Sequence, residues 1–175
     1  MIMTLSNSLT LLRIILTPVC VVFLFLPIPH KELYAAGVFI LAAITDGLDG
    51  YVARARKETS AFGKSFDPLA DKILIGAALL SLYTLGKVPL WIILVILGRE
   101  ILITVLRSMA QRKGLAIAAS IWGKIKTVTQ ISAIIGLILG IPGATIILWA
   151  AVFFTVFSAL DYVFKWKQVF YPSEN

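Results

Sequence analysis

Acidic residues, histidine and cysteine are scarce in this chain. Its 175 residues contain nine aspartates and glutamates, one histidine and one cysteine, against sixteen lysines and arginines. The single Cys20 excludes an intrachain disulfide. The sequence also has no P-loop, no dinucleotide-binding glycine fingerprint and no serine or cysteine nucleophile with a paired base. It therefore gives no indication of a triad hydrolase or of a P-loop or dinucleotide-binding enzyme.

Charge of either sign is low, whereas long apolar stretches dominate. Hydrophobic residues make up 59% of the chain and charged residues 14%, far below the roughly 25% charged residues of soluble domains. This composition indicates an integral membrane protein. The sequence has no internal repeat and no low-complexity linker, so we expect a single domain over residues 1–175. The first apolar stretch lacks a basic leader and a cleavage site, and we interpret it as a retained span.

An all-α polytopic fold follows from the length of the apolar stretches. About 20 apolar residues are needed to cross the hydrocarbon of a bilayer, and polar residues, prolines and glycines separate six stretches of this length. The predicted transmembrane helices cover residues 9–27, 33–54, 67–86, 88–109, 121–141 and 143–166. We expect a polar loop over 55–66 and a short interfacial segment over 3–8.

Basic residues fall mostly on one side of these six spans. If the amino terminus is cytoplasmic, the outer side receives only Lys31 and Lys87. The inner side receives Arg13, the basic clusters over 54–72 and 107–126, and the pair Lys165 and Lys167. This asymmetry predicts that both termini are cytoplasmic.

The net charge of +7 indicates attraction to anions. Most basic residues on the inner face are expected to contact anionic lipid headgroups. Four others lie at or near membrane depth, where charges usually face a polar cavity or a substrate path: Arg99, Arg107, Lys124 and Lys126. The basic residues are not interleaved with aromatics and no nucleic-acid-binding motif is present, so no nucleic-acid partner is expected.

Four of the nine acidic residues are aspartates in or beside apolar stretches: Asp46, Asp49, Asp67 and Asp71. Unpaired carboxylates are costly at such positions. Helical spacing places each pair, i, i+3 for the first and i, i+4 for the second, on one face of its own segment. Two such faces can form one cage of oxygen ligands, which favours Mg2+, Mn2+ or Ca2+ over zinc or copper.

These aspartates belong to a longer pattern with fixed spacing. The run Asp46-Gly-Leu-Asp49-Gly50-Tyr-Val-Ala53-Arg54 is followed, after eight residues, by Gly63-Lys-Ser-Phe-Asp67-Pro-Leu-Ala-Asp71. All eight fixed positions match, and the pattern resembles the signature of the CDP-alcohol phosphotransferase family. The resemblance continues in residues 7–13, 98–107 and 123–127 and thus covers nearly the whole chain.

The resemblance implies an enzyme that transfers the phosphatidyl group of CDP-diacylglycerol to sn-glycerol-3-phosphate, giving phosphatidylglycerophosphate and CMP. It implies two divalent ions, Mg2+ or Mn2+, with Asp46, Asp49 and Asp67 as ligands. Asp71 is expected to bind the second ion and to act as the base for the acceptor hydroxyl. The implied setting is a bacterial inner or plasma membrane, among membrane lipids, with a cytoplasmic active site and a homodimeric protein.

The motif residues expected to contact CDP-diacylglycerol are Asp49, Gly50, Ala53, Arg54, Gly63 and Asp67. The three small residues remove side-chain bulk where cytosine and ribose approach the helices, although small residues also serve ordinary helix packing in membranes. The planar guanidinium of Arg54 suits the diphosphate oxygens.

The phosphate of the acceptor needs fixed positive charge. The expected contacts are Arg107, Lys124 and Lys126, with Arg99 as a further candidate that Glu100 can instead hold structurally. Thr10 and Arg13 are expected either to line the same cavity or to cap and anchor the first span. Asp161 is expected to pair with a neighbouring basic residue.

Two alternatives remain open from the sequence. Because the motif recognises the CDP half of the substrate, another acceptor, such as phosphatidylglycerol, inositol phosphate or serine, is compatible with it. A divalent-cation transporter would also contain intramembrane carboxylates. It would explain neither the basic residues on the same side nor the register of Ala53, Arg54 and Gly63.

Overall fold

The computed structural model describes the backbone of residues 5–56, 61–113 and 120–170, and the side chains of residues 8–45, 72–113 and 120–167. In these ranges the chain is helical, with turns between helices and no strand. The helices are α1 Leu5–Phe25, α2 Lys31–Arg56, α3 Ala61–Thr84, α4 Leu90–Arg112, α5 Ile121–Leu139 and α6 Ala144–Phe170. The predicted all-α fold and its six helices are confirmed in the described part of the chain.

Two predicted boundaries are wrong. The polar loop over 55–66 is mostly helical, because α2 continues to Arg56 and α3 already begins at Ala61. Residues 61–66 are polar in part but contain no proline, and polarity alone does not end a helix. The interfacial segment predicted over 3–8 is not a separate element in residues 5–8, which form the first turn of α1.

Among the residues whose side chains the structure describes, three helical segments are long and apolar enough to cross a bilayer: Ser8–Phe25 in α1, Ile121–Leu139 in α5 and Ala144–Lys167 in α6. A shorter apolar segment, Lys72–Thr84, lies in α3. Large side chains such as Leu94 and Phe164 are exposed, as expected for helix faces that contact lipid, where apolar side chains lose nothing by exposure. These helices have the length and composition of membrane-spanning segments, whereas six spans stay a prediction.

Contacts divide the chain into two units. The first contains Met1–Val88 and Ile134–Ile141, and the second contains Pro89–Ala133 and Pro142–Asn175. The helix α5 is therefore divided between the units. Its residues up to Ala133 belong to the second unit, and its residues from Ile134 belong to the first unit.

In the first unit α1 packs against α2 and α3, and α2 also contacts α3. One face of α1, at alternating spacings of three and four residues, is at most 4% exposed: Thr10, Arg13, Thr17, Cys20 and Leu24. The Cys20 thiol donates to the Ala35 carbonyl oxygen at 3.5 Å, and Ala35 is fully buried. A small residue there lets α1 and α2 approach closely, as is common between membrane helices.

Lys87 connects two helix ends in the first unit. α3 ends at a turn in which Gly86 has φ 71° and the Lys87 amide donates to the Leu82 carbonyl, an arrangement that satisfies the last carbonyls of a helix. The Lys87 ammonium then donates to the carbonyl oxygens of Leu137 at 2.8 Å and Ile138 at 3.4 Å. A cation at the carboxyl end of α5 also complements the helix dipole.

In the second unit α4 packs against α6, and the Trp91 and Trp149 rings lie 5.4 Å apart. A buried polar contact joins α5 to α6: the Gln130 side-chain amide donates to the Thr155 hydroxyl at 2.9 Å. The Thr155 hydroxyl donates in turn to the Ala151 carbonyl at 2.6 Å. Gln130 and Thr155 are 3% and 0% exposed, so this pair holds the helices without water.

Candidate active site

The aspartate motif is distributed over two consecutive helices. Its first half, residues 46–54, lies near the end of α2, and its second half, residues 63–71, lies in the first turns of α3. Only residues 57–60 separate the helices, so both halves belong to the connected ends of α2 and α3. The side chains of the eight motif positions lie outside the described residues, and their predicted roles therefore stay predictions: Asp46, Asp49, Gly50, Ala53, Arg54, Gly63, Asp67 and Asp71.

The described parts of α2 and α3 each present one buried row of residues toward the motif. In α2, Ala35, Phe39 and Ala42 are 0% exposed. In α3, Leu74, Ala78 and Leu82 are at most 2% exposed. Both rows follow the spacing of three and four residues that keeps side chains on one face of a helix.

Thr10 and Arg13 lie on the buried face of α1 in the first unit. Arg13 is 0% exposed and Thr10 is 3% exposed, and the Thr17 hydroxyl donates to the Arg13 carbonyl at 2.9 Å. Whether these two residues line a cavity or cap and anchor the first span stays a prediction. Charged side chains buried at membrane depth usually pair with other polar groups or face a substrate path.

The second unit brings together two of the four basic residues that the sequence singled out. Glu100 on α4 accepts hydrogen bonds at Oε1 from Lys126 on α5 and, at 3.3 Å, from Arg99 Nη1. All three side chains are largely buried: Arg99 is 12% exposed, Glu100 is 16% exposed and Lys126 is 6% exposed. The expectation that Glu100 holds Arg99 is confirmed. The contact with Lys126 was not foreseen, since sequence spacing does not reveal which residues meet across two helices.

The other two predicted cations have different surroundings. The Arg107 guanidinium lies 5.9 Å from the centroid of the Tyr162 ring, within the range of a cation–π contact. Lys124 is exposed on α5. Tyr162 was not singled out from the sequence, because a tyrosine in an apolar helix is common near membrane interfaces; no sequence signal distinguishes it.

Asp161 pairs as predicted with a basic neighbour. The Lys165 ammonium donates to Asp161 Oδ2 at 2.9 Å, one helical turn apart on α6. Both side chains are partly exposed, so this pair contributes little to stability and indicates no catalytic role.

Comparison with known proteins identifies the family. The profile of the CDP-alcohol phosphatidyltransferase family matches residues 3–157. The chain belongs to this family. Among curated proteins, it is 39% identical to the CDP-diacylglycerol–glycerol-3-phosphate 3-phosphatidyltransferase of Bacillus subtilis, over 94% of this chain and 96% of that protein. The enzyme of the same name from Rickettsia bellii is 35% identical over 95% of this chain and 97% of its own length.

A third relative carries a related name. The probable phosphatidylglycerophosphate synthase of Mycobacterium tuberculosis strain H37Rv is 41% identical to this chain, over 91% of this chain and 79% of that protein. The match of the family profile includes α1 to α5 and the first half of α6. It therefore includes the aspartate motif and the four basic residues singled out from the sequence: Arg99, Arg107, Lys124 and Lys126. The resemblance inferred from the sequence is thus confirmed at the level of the family.

Proposed function

We propose that this protein is a CDP-diacylglycerol–glycerol-3-phosphate 3-phosphatidyltransferase, which makes phosphatidylglycerophosphate and CMP in phospholipid biosynthesis. The observation that carries this proposal is the near full-length similarity to relatives of that name at 35% to 39% identity. The eight motif positions all lie within the matched region. The substrates of those relatives, CDP-diacylglycerol and sn-glycerol-3-phosphate, are accordingly assigned to this chain.

The proposed setting is a bacterial inner or plasma membrane that six helices cross. Each helix has 19 to 27 residues, and about 20 suffice to span the hydrocarbon. The concentration of basic residues beside alternate spans supports the proposal that both termini and the aspartate motif lie at the cytoplasmic face. We further propose that residues 1–175 act as one domain and that the protein is a homodimer among membrane lipids.

The register of the buried rows supports a metal site at the motif. Positions 46 and 49 continue the spacing of Ala35, Phe39 and Ala42, which are fully buried in the first unit. Positions 67 and 71 likewise continue the row of Leu74, Ala78 and Leu82. Because α2 contacts α3, we expect the four carboxylates to face the interior of the first unit and not lipid.

The donor set fits hard divalent cations. Carboxylate oxygens alone suit Mg2+ or Mn2+, and the family generally uses divalent metals. Asp46, Asp49 and Asp67 would hold the ions, with Asp71 contributing to the second. When bound, the ions would neutralise the diphosphate and keep the attacking and leaving oxygens in line.

The protein's own groups then complete the transfer. Asp71 takes the proton of the acceptor hydroxyl. The hydroxyl oxygen forms a bond to the phosphorus of the phosphatidyl group, and the bond from that phosphorus to the bridging oxygen breaks, so that CMP leaves with this oxygen. Gly50, Ala53 and Gly63 leave room for the nucleoside, and Arg54 binds the diphosphate.

The acceptor phosphate is assigned to the basic residues of the second unit. Lys124 and Arg107 are exposed and available to an anion. Arg99 and Lys126 share one carboxylate, that of Glu100, so the three together retain one positive charge. The contact of Thr10 with glycerol phosphate stays a prediction from the sequence.

An acceptor panel tests this function. Detergent-purified protein with Mg2+ or Mn2+ is expected to release CMP from CDP-diacylglycerol when sn-glycerol-3-phosphate is added. Release with inositol phosphate, serine or phosphatidylglycerol, and not with glycerol phosphate, would assign the alternative acceptor. Absence of release with every acceptor, together with cation flux in proteoliposomes, would establish the transporter instead.

A further inference from the structure

The Tyr162 hydroxyl is a buried donor without an acceptor. Tyr162 is 2% exposed, and its hydroxyl oxygen forms no hydrogen bond in the described part of the chain. Buried hydroxyls are nearly always hydrogen-bonded, because removal from water without a new partner is costly. If the tyrosine only filled space, its replacement by phenylalanine would lower neither stability nor activity.

The ring that carries this hydroxyl lies beside a cation. The Arg107 guanidinium covers the Tyr162 ring at 5.9 Å, and Arg107 is exposed. In the same unit, the Nε atom of Arg99 is also buried without an acceptor in the described residues. Two buried donors without a described acceptor and the exposed cation Arg107 belong to one unit, and a phosphate monoester offers the charge and the oxygen acceptors that suit them.

We propose that Tyr162 is a binding residue for the acceptor substrate: its hydroxyl donates a hydrogen bond to the phosphate that Arg107 attracts. This proposal rests on the proposed function and extends it to a residue on α6. The ring orients the Arg107 guanidinium, and the hydroxyl adds a directional contact that a cation on a flexible side chain does not provide. Tyr162 thereby favours a phosphorylated acceptor over an uncharged one.

The test is the substitution Tyr162→Phe, which removes the hydroxyl and keeps the ring. The apparent KM for sn-glycerol-3-phosphate is expected to rise about tenfold, the effect of one hydrogen bond to a charged group, while the KM for CDP-diacylglycerol is unchanged. Without substrate, the variant is expected to melt at the same or a higher temperature, since an unsatisfied buried group is gone. Tyr83→Phe, at an exposed position of α3, is the matched control and changes neither constant.

Two results would overturn the proposal. An unchanged KM for glycerol phosphate in Tyr162→Phe assigns the tyrosine to helix packing. A lower melting temperature with equal rises in both KM values shows that the hydroxyl stabilises the fold and does not bind substrate. Both differ from a failure of the proposed function, in which the unsubstituted protein itself releases no CMP with glycerol phosphate.

Discussion

Glu100 on α4 holds the buried ammonium of Lys126 on α5. The Lys126 side chain is 6% exposed and that of Glu100 is 16% exposed, so the pair lies out of water, and Glu100 also accepts from Arg99. Because one carboxylate is shared by two cations, the group of three side chains retains one positive charge.

Replacement of Glu100 by alanine is expected to destabilise the protein strongly. Lys126 would remain buried after the loss of this carboxylate, and removal of one partner of a buried ion pair costs about 3 kcal/mol or more. Thermal unfolding in detergent measures the loss. The control is Lys165→Ala, which breaks the exposed pair with Asp161 and should cost at most about 0.5 kcal/mol. Addition of Lys126→Met to Glu100→Ala should recover part of the stability; a purely additive loss would refute the assigned coupling.

Thr155→Val is expected to lower stability by about 1 kcal/mol, because it leaves the buried Gln130 amide without its acceptor. Thr155→Ser retains the hydroxyl and is the matched control. Comparison of the two melting temperatures in the same detergent checks the prediction. Equal losses in both variants would mean that the methyl group, and not the hydrogen bond, holds α5 to α6.

Asp71→Asn is expected to reduce turnover by about 100-fold or more, the usual contribution of a general base. Binding of Mn2+ and of the nucleotide should be retained, since the other three carboxylates are unchanged. CMP release and equilibrium dialysis with Mn2+ measure the two properties separately. Near-normal turnover would remove Asp71 as the base, and loss of metal binding would restrict it to a ligand role.

Lys124→Ala and Arg107→Ala are each expected to raise the KM for glycerol phosphate far more than that for CDP-diacylglycerol. Lys124 is exposed on α5 and Arg107 on α4, so neither substitution leaves a buried charge unpaired. Steady-state CMP release with each substrate varied in turn provides both constants. Lys165→Ala controls for the loss of a basic residue as such. If the two KM values rose in parallel, the role of these cations in acceptor binding would be rejected.

The sequence predicted the helices better than their contacts. Apolar length and flanking glycines and prolines located six helices, since these signals are local. The start of α3 was placed at 67 and lies at Ala61, because residues 61–66 are polar but compatible with a helix. The contact of Lys126 with Glu100 and the burial of Tyr162 depend on how α4, α5 and α6 pack, and no local pattern encodes that.

For the candidate site, the sequence supplied the chemistry and the structure supplied part of the placement. The spacing of Asp46, Asp49, Asp67 and Asp71 predicted two helical faces, and the backbone of α2 and α3 contains both pairs. Arg13 was expected to line a cavity or to anchor the first span, and its side chain is fully buried. Whether a cation is buried depends on its neighbours in space, so the burial of Arg13 could be seen only in the folded structure.

The contact of Lys87 with the last carbonyls of α5 bears on how the chain is inserted. The Lys87 ammonium donates hydrogen bonds to the carbonyl oxygens of Leu137 and Ile138. It is therefore less available for contacts with phospholipid headgroups. Lys31 and Lys87 are the two basic residues predicted on the outer side of the membrane. Of these two, only Lys87 makes such a contact in the described residues. Under the predicted topology, the outer face of the folded protein therefore presents less available positive charge than a simple count of lysines and arginines suggests.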